Sequence, residues 1–225
     1  ALTEKVFVTS RLFAGYSGAL DADVLAQLIA ALPQGAPGAT AAHKRYDAAA
    51  CAVEIPADVG FCALGHNLYA LGSSYSGACP VLSSLVSYGY LWNMVRVQGG
   101  AYGTGMNVRR SGDIFCYSYR DPNLDNTRAV FSAVADFIED FAAQGIPLDD
   151  IIIGAVNTTD PLLDPAGVCE SQCVRALKGV TPEALAKTRH ELLATKPADL
   201  AAMAGVLRKY AREGKFCTFS GANGA

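Results

Sequence analysis

No stretch of about 18 uninterrupted apolar residues occurs in this chain, so nothing in it reads as a helix that spans a membrane. Charge is scarce at 17% Asp, Glu, Lys and Arg, and basic pairs such as Arg109-Arg110 and Arg208-Lys209 are too short to track a phosphate backbone. The net charge of −3 and a pI near 5.6 exclude a general pull toward nucleic acid or an anionic membrane. The opening ALTEKVFVTS lacks the basic and apolar regions of a signal peptide. It also lacks an initiator Met, and with the closing Gly-Ala-Asn-Gly-Ala this leads us to expect a processed chain or an excised fragment.

Histidine is nearly missing. Neither H-x-x-E-H nor H-E-x-x-H can be built from the three present, His43, His66 and His190, so no zinc-binding protease helix is encoded. His190-Glu191 lacks its second histidine and reads as an exposed helical position, whereas His66 in LGHNL reads as a strand-end or loop residue. Ser17 in AGYSGA and Ser74 or Ser76 in GSSYSGA do not complete G-x-S-x-G. The run GGAYGTG follows a helix rather than a strand and lacks the Lys-Ser/Thr of a phosphate loop.

The seven cysteines, Cys51, Cys62, Cys79, Cys116, Cys169, Cys173 and Cys217, are odd in number and sit mostly in apolar surroundings. They read as free thiols of a reducing compartment, and the Ala-rich composition fits a bacterial cytoplasm. Cys169 and Cys173 are four apart on a predicted helix and could share a metal. A structural zinc wants four ligands, and no second Cys/His pair is suitably spaced, so they read as packing residues and no metal site is expected in this chain.

What is present is material for a core: 51% of the residues are hydrophobic. Strands are predicted over Lys5–Thr9, Cys51–Ile55, Val59–Leu64, Ala101–Val108, Asp113–Tyr119 and Lys215–Ser220. A helix capped by Asp21 or Asp23 runs to about Leu32. A second carries Pro80 in its first turn and the apolar series Leu82, Leu85, Val86, Gly89, Trp92 and Val95, and Gly99-Gly100 closes it. A third follows Asp121-Pro122-Asn123, shows Leu124, Val130, Phe131, Val134, Ile138 and Phe141 on its apolar face, and ends at Gly145. Further helices are expected over Pro165–Leu177, from Thr181-Pro182 and from Thr195-Lys196-Pro197. The pattern implies one α+β domain over residues 1–225, an antiparallel sheet backed by helices.

One constellation stands out. A helix end delivers Arg96, two glycines turn the chain, and Tyr102 opens the next strand. Arg96 could simply stabilise the last carbonyls of its helix, with Tyr102 as an amphipathic edge residue. Held near each other, the two instead offer fixed donors to peptide backbone or an oxyanion.

The segments YLWNMVRVQGGAYG and SYRDPNL, within Ser74–Thr127, resemble the C-terminal half of presequence proteases and falcilysin-like peptidases of the pitrilysin/insulinase family. The resemblance implies a four-domain clamshell zinc peptidase that degrades unfolded peptides in a closed chamber, of which this chain is the last, non-catalytic domain. It implies that zinc sits in the N-terminal half, outside this chain, and that this half is its partner. It further implies that Arg96 contacts substrate backbone and that Tyr102 supports the transition state at the oxyanion, with Gly99 and Gly100 shaping the turn. The chain departs from the family's enzymes in having no H-x-x-E-H, so it is expected to be inactive alone. A catalytically inert structural paralogue of the same family is the alternative, as, more remotely, is an unrelated small-molecule binder using the glycine-rich turn.

Overall fold

Buried and exposed side chains alternate along Gly60–Asn67 (β2) and Asp113–Asp121 (β4), the pattern of strands with one covered face. The computed structural model describes residues 6–35 and 49–221. It joins β2 and β4 with Cys51–Glu54 (β1), Gly103–Val108 (β3) and Lys215–Ser220 (β5) in one sheet of order β1-β5-β2-β4-β3. All pairings are antiparallel except that of β1 with β5, so the expected α+β architecture holds with one parallel edge. The turn at Pro56-Ala57-Asp58 separates β1 from β2 in sequence but does not make them neighbours, because β5 lies between them. Cys62 and Leu64 of β2, Met106 and Val108 of β3, and Ile114 and Cys116 of β4 join Leu82, Leu91, Phe131, Ile138 and Leu207 in a single core. The opposite face carries Phe61, Phe115, Tyr117 and Tyr119, none of them buried.

The helix from Ala78–Ser84 (α2) runs without a break into Leu85–Gln98, which is π-helical. This corrects the expected apolar stripe. Leu91 and Val95 are fully buried, while Trp92 is 38% exposed. Bonding from i to i+5 widens the turn, so the inward series Leu85, Tyr90, Met94 and Val86, Leu91, Val95 advance by five and then four residues. Trp92 is rotated out of the core as a result.

The helix expected across Leu124–Phe141 is two, Leu124–Ser132 (α3) and Val134–Ala143 (α4), broken at Ala133, whose φ −91 and ψ 6 leave the helical region. Asp149–Thr159 (α5) was not foreseen. Pro165–Leu177 (α6) matches expectation, and Asp164 caps it by accepting the Gly167 N–H at 2.7 Å. Pro182–Ala194 (α7) opens at Thr181-Pro182. The last expected helix is divided into Pro197–Ala201 (α8) and Ala204–Glu213 (α9). The N-terminal strand is not found. Lys5 lies outside the described residues, and Val6–Thr9 contributes no strand; instead Thr9–Arg11 forms a 3-10 turn with the Thr9 N–H donating to Pro33 O at 3.1 Å. β-branched residues favour extended backbone only where another strand pairs with it, and among the described residues none does.

The chain divides into two compact units. One comprises residues 1–46 and 162–185, and among its described residues holds the 3-10 turn, Ala22–Ala31 (α1) and α6. There Cys169 and Cys173 share a side of α6 against Gly15, where a Cβ would overlap Cys173 Sγ. The other unit, residues 47–161 and 186–225, holds the sheet, its core and the site described below. No described helix is long and apolar enough to cross a membrane.

Candidate functional site

The end of the π-helix fixes the geometry. Gly100 adopts φ +83, a region that disfavours residues with a Cβ, and its N–H bonds to Arg96 O at 3.0 Å. At Gly99 a Cβ would stand 2.5 Å from Val95 O. These two glycines let the chain reverse within a few residues, so Arg96 and Tyr102 emerge on the same side. The Arg96 guanidinium carbon lies 4.0 Å from the centroid of the Trp92 ring and 5.9 Å from that of Tyr102. A guanidinium over an aromatic face at these distances is held by the ring's quadrupole, which limits its wandering while leaving its N–H edges free. Arg96 is half-buried and Tyr102 is 59% exposed. Both line a cleft of about 420 Å³ that follows the outer edge of β3.

The helix partly seals that edge. Ser83 Oγ accepts the Val108 N–H at 3.0 Å, and Ser87 Oγ accepts the Met106 N–H at 2.9 Å, so two outward-facing donors of an edge strand are satisfied by hydroxyls. Thr104 is next in the alternation and borders the cleft with Trp92 and Arg96. Its own hydroxyl donates to Tyr117 O at 2.8 Å.

Glycine makes the other wall. A Cβ at Gly103 would overlap the Tyr119 ring, and one at Gly105 would stand 2.9 Å from the Tyr117 hydroxyl. The absent side chains give the tyrosines of β4 room to lie across β3. Tyr117 and Tyr119 stack with centroids 6.5 Å apart, and Tyr102 adds a tilted ring 5.6 Å from Tyr119. Partial burial pushes the Tyr117 hydroxyl's pKa above the usual phenol value, so it stays a neutral donor.

A second cation approaches from β4. Phe61 pairs with Tyr119 and Gly60 with Asp121, which leaves Arg120 unpaired as a bulge with φ 49. Its guanidinium carbon lies 5.7 Å from the Tyr102 centroid. Asp121, 1% exposed, anchors this turn by accepting from Ser118 Oγ and Thr127 Oγ1, both at 2.6 Å, and from the Asn123 N–H at 2.8 Å.

All four residues singled out from sequence, Arg96, Gly99, Gly100 and Tyr102, therefore meet at one turn. Trp92, Gly103, Gly105, Tyr119 and Arg120 were missed. The alternate glycines of GGAYGTG were a legible signal, whereas the bulge at Arg120 was not. Among the described residues no group of three or more His, Cys, Asp or Glu side chains converges. His66 keeps its Nδ1 2.7 Å from the Asn67 N–H, His190 is exposed, and His43 lies outside the described residues. The thiols give no nucleophile at the site. Burial raises the pKa of Cys62 to about 11 and that of Cys116 to about 12.

Residues 51–218 match the sequence model of the PreP C-terminal domain family. Protein HypA of Clostridium perfringens is 32% identical over 160 residues, covering 71% of this chain and 16% of that protein. Presequence protease 1 of Arabidopsis thaliana, chloroplastic/mitochondrial, is 34% identical over 149 residues, covering 66% of this chain and 14% of that protein. The chain thus spans about one seventh of the length of these curated relatives. Among solved structures, the inactive domain of a peptidase M16 from Pseudomonas fluorescens superposes with a TM-score of 0.59 at 13% identity, covering 89% of this chain and 50% of that one. A protease from Helicobacter pylori gives 0.55 at 15% identity, over 91% and 53%. At these identities the superpositions establish the fold alone.

Proposed function

The chain belongs to the PreP C-terminal domain family, and from that membership we propose that it is the non-catalytic, peptide-contacting end of a zinc metalloendopeptidase. The observation that carries this reading is the cleft in which Arg96 and Tyr102 stand side by side. In this reading an unstructured peptide lies along the β3 edge. The Arg96 guanidinium donates to a backbone carbonyl, and the Tyr102 hydroxyl donates to the oxyanion that forms at the scissile carbonyl. Zinc in this reading belongs to an N-terminal half that acts as this chain's partner. The whole of residues 1–225 then serves as one domain of a larger chamber. The seven free thiols support a reducing interior such as a bacterial cytoplasm as the setting.

The reading has a direct test at the level of the chain. Incubated alone with zinc and an unstructured peptide, it should show no hydrolysis by mass spectrometry. Robust cleavage abolished by a chelator would mean that the chain holds its own active site and would overturn the proposal.

A further inference from the structure

We infer that Arg120 is a second binding guanidinium of this site, and that it makes the cleft selective for peptides bearing a carboxylate next to the segment held at Tyr102. The inference rests on the peptide-binding reading above and adds a chemical class of substrate to it.

The backbone at Arg120 is the starting point. A non-glycine residue in the left-handed region is unfavourable unless its surroundings impose it. Here they do. The Tyr102 N–H donates to Arg120 O at 3.2 Å, and the next residue, Asp121, is fixed by three hydrogen bonds in the interior. Regular pairing would send side chain 120 to the face opposite that of Tyr119, whereas the bulge re-aims it toward the Tyr102 ring. Tyr102 is consequently approached by two guanidiniums at nearly equal distances, Arg96 at 5.9 Å and Arg120 at 5.7 Å.

Electrostatics gives the second argument. The ion pairs among the described residues involve Lys187, Arg189, Arg208 and Arg212, and neither Arg96 nor Arg120 takes part in one. The cleft walls contain no Asp or Glu. Asp121, though adjacent in sequence, is buried with its oxygens already engaged by Ser118, Thr127 and the Asn123 N–H. Two guanidiniums beside one aromatic ring, neither in an ion pair among the described residues, leave positive charge that an anionic group bound there would balance. A carboxylate also matches the forked donor geometry of arginine. Peptides supply it from two sources, a chain terminus or an Asp/Glu side chain.

Trp92, the only tryptophan in the chain, lies against Arg96 in the cleft and reports occupancy by its fluorescence. The experiment titrates the chain with one short unstructured peptide in three forms: acidic residue and free C-terminus, the same with an amidated C-terminus, and the same with its Asp replaced by Asn. Loss of the recognised carboxylate should weaken binding about tenfold, the size of one charge-assisted hydrogen bond. A weaker amide identifies the terminal group and a weaker Asn form the side chain. In Arg120→Asn, which tolerates the left-handed backbone, and in Arg120→Gly, which relieves it, the three forms should bind alike. Arg120→Lys should retain part of it. Equal binding of all three forms to the wild type, or a preference that survives Arg120→Asn and Arg120→Gly, overturns the inference. If binding depends on Arg96 but ignores Arg120, only this inference falls. If no form of the peptide perturbs Trp92, the underlying peptide-binding reading falls with it.

Discussion

At the residue scale the cleft depends as much on what is missing as on what is present. Gly103 has no Cβ where the Tyr119 ring lies, and Tyr119 in turn supports Tyr102 at 5.6 Å. Gly103→Ala should therefore cost about 1–3 kcal/mol by overpacking. In a Tyr119→Ala background, where the ring is gone, it should cost little, a coupling that urea denaturation of the four proteins would reveal. Equal cost in both backgrounds would mean that the ring does not need the gap. The turn that brings Arg96 and Tyr102 together was legible in sequence because helix end, double glycine and strand start are local signals, whereas their role toward a substrate came only from the resemblance of YLWNMVRVQGGAYG to the family. Arg120 was not, because a bulge is defined by the partner strand: only the pairing of Gly60 and Phe61 across β2 shows that residue 120 is extra.

Between elements, the last helix locks the centre of the sheet. Tyr210 of α9 is fully buried; its hydroxyl donates to Leu64 O at 2.7 Å and accepts the Cys116 N–H at 2.9 Å. Burial, with Cys116 beside it, holds the phenol pKa well above its ordinary value, so it acts as a neutral donor and acceptor throughout the working range. Tyr210→Phe should leave a carbonyl of β2 and an amide of β4 unpaired in the core and cost about 1–3 kcal/mol. An unchanged urea midpoint would show that water or a backbone shift takes over both bonds. This contact joins residues far apart in the chain, which explains why the order of the sheet could not be read from patterns. Local periodicity identified α6 and the β3–β4 pair, but β5 enters between β1 and β2 from the far end of the sequence. The π-winding of Leu85–Gln98 escaped for a related reason. A 3.6-residue period assigns Trp92 to the core together with Val95, and only packing against the rest of the fold decides that Leu91 goes in where Trp92 does not.

At the scale of the whole molecule, the residues that line the cleft include no His, Cys, Asp or Glu. Burial raises the pKa values of the Cys62 and Cys116 thiols, the described acids do not cluster, and Arg96 faces the cleft. In the proposed reading such a surface holds and polarises a peptide whose bond is broken by groups elsewhere. The central claim is that Arg96 and Tyr102 act on the transition state. Measuring kcat/KM for an unstructured peptide in the full-length enzyme that carries this chain tests it most directly. Tyr102→Phe should lower it by about 10²–10³-fold, the effect of losing one oxyanion donor, and Arg96→Ala by about tenfold or more through the lost charge-assisted bond to substrate backbone, with zinc content unchanged. Kinetics indistinguishable from the wild type in both variants would contradict the account and leave the pair as structural residues of an inert domain.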